Sequence, residues 1–515
     1  MRRAIVVVVL LGFLLPVMAL ADEVLVIGTT DRVTELSFAN AYDFWTWHVF
    51  RNTTEALLTI EPKTCKLAPA IAESWEISDD GLVYTFHIRP GITFWDGAPC
   101  DAHAVKWALD RTLRLNGPKG GVGLIKPVIK QIDVVDDLTV QITLNYPDAT
   151  FLYRMTDNIG PACIYSPKST PENEFARGQY AGTGPYKLVE YIPDERIVYE
   201  AYEGYWGEPP KTKRIVEVMY TDAAALRAAI EAGDIDIAFR TLSPQDIIDL
   251  QENPNVEVNI YSPSPGIRYL LFNVTLPPVD NVFVRQAIAY AVDRDAICKQ
   301  VFGGITTPIY TMVPTLMPPA GASIDVFPKR DIEKARELLQ LAGYSEDNPL
   351  ELNLWYSPKH YGTTESDVAA VVKQSIEETG MVKITIQSLE WGAYSERMAQ
   401  GGLDMWLLGW HPDYLEASNY IAPWIVESPE SQGTYFNHHP NYGAYKRILE
   451  VAYATVDPEK RAKLYQAAQI LSAYDVPWIP LWSMADEMVV ATVPGVHGAF
   501  LDLTMDLRLK LLYKD

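Results

Sequence analysis

The sequence predicts a soluble α/β protein of more than one domain, and three observations predict it. Stretches with strand patterning alternate with stretches of helical spacing along nearly the whole chain, which implies helices packed on sheets. The 515 residues are 48% apolar and 21% charged, enough core-forming material for two to four domains and too apolar for a disordered chain. Finally, no internal repeat and no long low-complexity linker interrupts the pattern, so short crossings must join the domains.

The chain opens with an address. Arg2 and Arg3 form a basic start, Ala4 to Leu15 a short apolar run broken by Pro16, and Ala19-Leu20-Ala21 a small-x-small cleavage pattern. The run falls short of the ~20 apolar residues that span a bilayer, so export with cleavage near Ala21 is expected over a retained anchor. Strand patterns follow at Val24–Ile27, Tyr84–Ile88, Val134–Leu144 and Arg196–Tyr199, rich in β-branched and aromatic residues. Asp101 is placed to cap a helix over Ala102–Leu115. Ala223–Ala232 reads as a helix closed by Gly233. Val284, Ile288, Val292 and Ile297 share one face of a helix predicted over Val282–Val301. Further helices are expected at Ile332–Gln340, Glu365–Glu378 and Pro458–Ala473, with strands Leu350–Tyr356 and Val382–Leu389 among them.

Charge and chemistry narrow the function. With 66 acidic against 43 basic residues the net charge is −23, which leaves no broad basic surface for nucleic acid. There is no GxSxG elbow, no HExxH and no Walker A lysine; Gly182-Thr183-Gly184 runs into Pro185-Tyr186 and is no phosphate loop. A paired-carboxylate glycosidase is conceivable on paper, but nothing selects a pair. No enzyme, cofactor or resident metal is predicted. Cys65, Cys100, Cys163 and Cys298 lack metal spacing; in an oxidising compartment either a Cys65–Cys100 disulfide or buried free thiols is expected.

Several blocks, in order, resemble the extracytoplasmic solute-binding proteins of ABC importers, in the family that binds oligopeptides, dipeptides and nickel (family 5). They are Ala72-Glu73-Ser74-Trp75, Phe94-Trp95-Asp96-Gly97, Gly182-Thr183-Gly184-Pro185-Tyr186, Tyr205-Trp206-Gly207 and Gly233-Asp234-Ile235-Asp236. Phe272-Asn273, the run Val284–Arg294, and Pro477-Trp478-Ile479-Pro480-Leu481-Trp482 complete the set. The resemblance implies a two-lobed periplasmic clamshell with mixed sheets and a two-crossing hinge. It implies lobe one over 22–271 plus 486–515, and lobe two over 272–485. It also implies a monomer in the periplasm that closes on a peptide or other small polar solute and delivers it to a permease and ATPase on separate chains.

The same resemblance implies the site. Gly409-Trp410-His411-Pro412-Asp413-Tyr414 is similar to the family's segment whose aspartate pairs with a peptide's α-ammonium, which puts Asp413 in that role. Its bland alternative is a turn cap after Pro412. Gly409 would let a ligand backbone approach, with Trp410 and His411 beside it. Leu415-Glu416-Ala417 departs from the family's aspartate-proline. Tyr42, Phe44 and Trp45 belong to an aromatic loop expected to face the ligand, Phe44 standing equally well as core. Trp482 is a further cleft candidate, and Lys359 or His360 is expected to meet a ligand carboxylate. Oligosaccharide binding, or nickel binding through His411, His438 and His439, are the alternatives within the same fold.

Overall fold

The structure, a computed structural model, describes residues 24–515 except Lys63. The expected signal segment therefore lies outside the described residues. Two sheets organise the chain. A mixed seven-stranded sheet runs in the order Glu257–Ile260, Val489–Thr492, Ile237–Phe239, Val24–Thr29, Arg214–Met219, Arg196–Ala201, Tyr186–Ile192. Its middle strand, Val24–Thr29, is parallel to both neighbours, whereas Arg196–Ala201 and Val489–Thr492 run antiparallel to theirs. A four-stranded antiparallel sheet, Ala72–Ile77, Val83–Ile88, Thr139–Leu144 and Ile129–Asp136, extends this lobe. Its inner strands alternate half-buried and buried residues, the period-two signature of a sheet with one face on a core. The predicted strand Val134–Leu144 is in fact this hairpin, turned at residues 137–138.

The second sheet has six strands, ordered Thr307–Pro308, Trp478–Ser483, Ile267–Phe272, Met405–Trp410, Leu350–Tyr356, Val382–Ser388. Ile267–Phe272 and Trp478–Ser483 are buried on both faces, so apart from Arg268 and Ser483 their residues are apolar or aromatic. The pleat still sorts them: Leu270, Phe272, Leu407 and Leu481 face the layer of helices Val282–Ala291, Ile332–Leu341 and Glu365–Glu377. Tyr269, Leu271, Trp406 and Trp478 face the opposite layer, around Trp424 and Tyr465.

Local chemistry sets the helix ends. Asp101 accepts from the Ala104 amide at 2.9 Å and starts Ala102–Leu115 as expected. Gly233 closes Ala223–Ala232 at φ 74°, where a side chain would be strained. The helix expected over Val282–Val301 is two, because Val292 turns extended and Asp293 caps a new helix, Arg294–Gln300, through the Ala296 amide. All four cysteines are free thiols; Cys100 is buried in the large lobe-one core, while Cys65 packs against the second lobe's core, so the Cys65–Cys100 disulfide is not formed.

Ile267–Phe272 lies inside the six-stranded sheet, whereas Glu257–Ile260 and Val489–Thr492 belong to the seven-stranded one, so the chain passes between the two sheets over residues 261–266 and again over 484–488. The two crossings are laced to each other: Ser264 and Ser483 exchange hydrogen bonds at 2.8 and 3.2 Å, and the Met484 amide donates to Gly266 O at 2.9 Å. The C-terminal segment then docks on the first lobe. Buried Asp506 meets His48 and Arg51, and the Leu509 amide donates to Asn52 Oδ1 at 2.9 Å.

Candidate ligand-binding site

A cleft between the lobes, beside the crossings, holds two adjoining chambers of about 530 and 560 Å³. Arg240, His360, Tyr361 and Glu487 line both.

The first chamber is aromatic. One wall begins at the helix Phe44–Thr53, which replaces the expected loop because Asp43 caps it, accepting from the Thr46 amide at 2.8 Å. That cap sets the helical phase. Phe44 and Trp47, three residues apart, turn to the chamber. Trp45 turns the other way into the lobe-one core, stacked on His48 with ring centres 4.5 Å apart, and does not line the chamber. Trp482, likewise, is buried against Phe302 in the second lobe's core and lines neither chamber.

Opposite stand Gly409, Trp410, His411 and Asp413, at the end of the strand Met405–Trp410. Asn419 Oδ1 fixes this turn, accepting from the Asp413 amide at 2.8 Å and from Trp410 Nε1 at 3.2 Å. The Asp413 carboxyl is 7% exposed. It accepts from the Tyr42 hydroxyl at 2.5 Å across the cleft and from Asn419 Nδ2 at 3.4 Å. Burial pushes its pKa up to about 6, against these two bonds and the more distant Arg154. Such a carboxyl is under-neutralised, and an incoming ammonium is the group that would satisfy it.

Gly409 has a steric reason. A Cβ there would lie 2.7 Å from the Tyr361 ring and 2.9 Å from Arg268 Nη1. The Tyr361 hydroxyl donates to Gly409 O at 3.1 Å, and its ring covers the buried Arg268 guanidinium at 3.9 Å. Arg268 in turn pairs with Glu365.

Where the chambers join, Arg240 comes from the first lobe, at the end of Ile237–Phe239. Its Nη2 donates to Glu487 Oε2 at 2.8 Å, and its guanidinium lies 4.1 Å over the Phe44 ring. His411 Nε2 meets the same Glu487 oxygen at 2.7 Å from the second lobe. Burial would raise the Glu487 pKa, but His411 and Arg240 outweigh it and hold it down at about 2. His360 stacks on Trp391 at 3.5 Å, and burial together with Arg268 and His411 lowers its pKa to about 4, which leaves it neutral at pH 7.

The second chamber is polar, lined by Asp31, Asp222, Ser243, Lys359, Thr364 and Asp486 among others. Burial and the Glu487 charge raise the Asp486 pKa to about 7. Lys359 belongs to this chamber alone, away from Asp413.

The structure thus gathers Tyr42, Phe44, His360, Gly409, Trp410, His411 and Asp413 in one chamber, sets Lys359 in the next, and leaves Trp45 and Trp482 in cores. Sequence reasoning missed Arg240, Tyr361, Trp391 and Glu487. Arg240 had a usable signal, since it follows Gly233-Asp234-Ile235-Asp236 by one short strand. His439 stacks on Phe436 away from the cleft, and the described residues contain no group of three or more His, Cys, Asp and Glu placed to hold a metal. Among the described residues no helix is long and apolar enough to cross a membrane.

Two lobes, two crossings and a charged cleft between them define a solute-binding protein of the periplasmic type. The chain belongs to the bacterial extracellular solute-binding proteins, family 5, whose model matches residues 66–432. It is 32% identical to heme-binding protein A of Haemophilus influenzae over 452 residues, covering 82% of this chain and 80% of that protein. It is also 32% identical to the glutathione-binding protein GsiB of Salmonella paratyphi A over 494 residues, 94% of this chain and 92% of that protein. The fold is similar to the Helicobacter pylori periplasmic binding protein DppA solved with the peptide STSA, at TM-score 0.79 and 25% identity over 95% of this chain and 98% of that one. The protein is the substrate-binding component of an ABC importer, acting with a permease and an ATPase, and is not an enzyme.

Proposed function

We propose that the protein is cleaved near Ala21, works as a monomer in the periplasm, and captures short peptides in the cleft. We take lobe one as 24–260 plus 489–515 and lobe two as 267–483. The observation that carries the peptide reading is the buried Asp413 carboxyl at the aromatic chamber, held by Tyr42 and Asn419 yet short of a positive partner. A peptide's α-ammonium supplies that charge, and rings of Phe44, Trp47 and Trp410 cover the first side chains.

The names of relatives agree in kind, since a dipeptide-binding protein of Escherichia coli and the glutathione-binding protein are among them.

The test is calorimetry and thermal shift on the mature protein against free-acid peptides, glutathione, oligosaccharides, heme and Ni²⁺. Saturation by a peptide at ~100 Kd is expected to stabilise by about 2.7 kcal/mol. Replacing Asp413 by Ala should weaken peptide binding and cut that gain. Binding of an oligosaccharide or Ni²⁺ with no peptide response overturns the reading.

A further inference from the structure

A peptide anchored by its ammonium at Asp413 still has to place its other end, and Lys359 and His360, expected to meet it, are both exposed. The join between the chambers is better suited, but a carboxylate already sits there. Glu487 Oε2 takes both Arg240 Nη2 and His411 Nε2, at 2.8 and 2.7 Å. Arg240 is 7% exposed and is not saturated by this contact. Its Nη1 and Nε have no hydrogen-bond partner among the described residues, although Nε lies 3.4 Å from Asp31 Oδ2. Buried guanidinium nitrogens left in this way are costly, and a carboxylate that takes Nη2 together with either Nε or Nη1 satisfies one of them, two parallel N–H bonds to one carboxylate being the favoured geometry.

Resting on the peptide reading, we propose that Glu487 occupies the seat of the ligand's own carboxylate, and that a free-acid peptide displaces it from Arg240 and His411. Two features of the fold make the exchange possible. Glu487 lines both chambers, so its side chain has room to swing into the polar one, among Ser243, Thr364 and Lys359. It also belongs to the turn Ala485–Glu487, inside the second crossing between the lobes. Exchange therefore acts on the hinge. Arg240 comes from one lobe, His411 from the other, and the carboxylate they share comes from the segment that must bend when the lobes move. Ligand recognition and hinge geometry then depend on one side chain, and the charge near Arg240 stays balanced before and after exchange.

The selectivity follows: free acids are preferred over amides, because an amide brings no charge to replace Glu487. The test compares a degenerate tripeptide library as free acids with the same library as C-terminal amides, by competition calorimetry on the wild type, Glu487→Gln and Arg240→Gln. The wild type is expected to prefer the acids. Glu487→Gln removes the competitor and should tighten acids by roughly tenfold or more, the scale of one unit charge at an interfacial dielectric, while amides stay as they were. Arg240→Gln should erase the preference. Because either variant can lose stability, the wild type supplies its own readout: the Arg240 15Nε resonance should shift with acids and not with amides. Equal wild-type affinity for both libraries, an unmoved Arg240 resonance, or a Glu487→Gln variant that weakens both libraries alike overturns the exchange and leaves the peptide reading standing. Failure of both libraries to bind overturns the peptide reading, and the exchange with it.

Discussion

If Asp413 anchors an ammonium, peptide affinity must fall as the solution is acidified through pH 6. The carboxyl has a pKa of about 6 in the ligand-free protein because burial outweighs its two hydrogen bonds. A paired ammonium favours the ionised form, so the pKa drops in the complex. If it drops to the ordinary carboxylate range near 4, the gap is about two pH units, or about 3 kcal/mol, so affinity declines nearly tenfold per pH unit to about a hundredfold in all. Above pH 6.5 the affinity should be level. Titration calorimetry between pH 4.5 and 8 reads the slope, and two buffers of different ionisation heat read the accompanying proton release of up to one per peptide below pH 6. Asp486, raised to about 7, titrates in the same range, and Asp413→Asn separates the two by removing the step centred near 6 and leaving any other. N-acetylated peptides should show no step at all. A flat wild-type profile, or a step that survives in Asp413→Asn, refutes the ammonium role.

The same shift carries a sign for stability. A carboxyl whose folded pKa lies above its unfolded value contributes stability that is complete below the unfolded pKa, near 4, and is lost as pH rises through about 6. At pH 8 the ligand-free protein therefore holds this charge at a cost of up to about 3 kcal/mol. Asp413→Asn should melt higher than wild type at pH 8 and not at pH 4, and a difference independent of pH would contradict the burial argument.

Three other outcomes are expected. Gly409→Ala places a methyl 2.7 Å from the Tyr361 ring and 2.9 Å from Arg268 Nη1, so Tyr361 must leave the Gly409 carbonyl; a loss of about 1–3 kcal/mol in stability, read by thermal melting, should accompany weaker peptide binding. Trp482→Ala empties a core site and should destabilise by about 3–5 kcal/mol, yet leave affinity unchanged at a temperature where the variant is folded. Thiol titration of the denatured, unreduced protein should find four free groups, and a count of two would restore a disulfide.

Much of the fold was legible because period and punctuation agree with it. The strand Leu350–Tyr356 and the helices beginning at Ala102, Ala223 and Pro458 fall where alternation, Asp caps and Gly233 place them. The failures come where a short-range cue decides the geometry. In Tyr42–Trp47 an aromatic cluster was visible, but which ring faces the ligand depends on helical phase, and Asp43 sets that phase by capping at Phe44. Phe44 therefore reaches the chamber and Trp45, next to it, does not. A buried central strand such as Ile267–Phe272 gives no sign of which sheet it joins, and only the fold puts it in the six-stranded one. Asp413 was readable because a motif surrounds it. Arg240 had only its place after Gly233–Asp236 to mark it; it stands at a strand end in a left-handed turn with Thr241, at φ 57° and 62°, and the fold brings it to Glu487.

The contacts that read the ligand also join the lobes, and this bears on how little a ligand must supply. The Asp413 turn is held from the first lobe by the Tyr42 hydroxyl and by Asn158 Nδ2, which donates to Asp413 O at 3.0 Å. Arg154 reaches across to the Tyr414 hydroxyl at 3.0 Å, and the Ala149 amide donates to Tyr453 O at 2.7 Å. At about 0.5–1.5 kcal/mol net for each such bond, these four stabilise the closed arrangement by a few kcal/mol before any ligand contact is counted. Shifting a two-state equilibrium from one part in a hundred to ninety-nine takes about 5.5 kcal/mol of differential binding. Bonds between the lobes that form without a ligand reduce what the ligand must add, which is the setting the proposed ammonium contact and carboxylate exchange require. On the proposed peptide reading, specificity would reside in the few groups at Asp413 and at the Arg240–Glu487–His411 junction, while Phe44, Trp47 and Trp410 would supply contact area that tolerates different side chains.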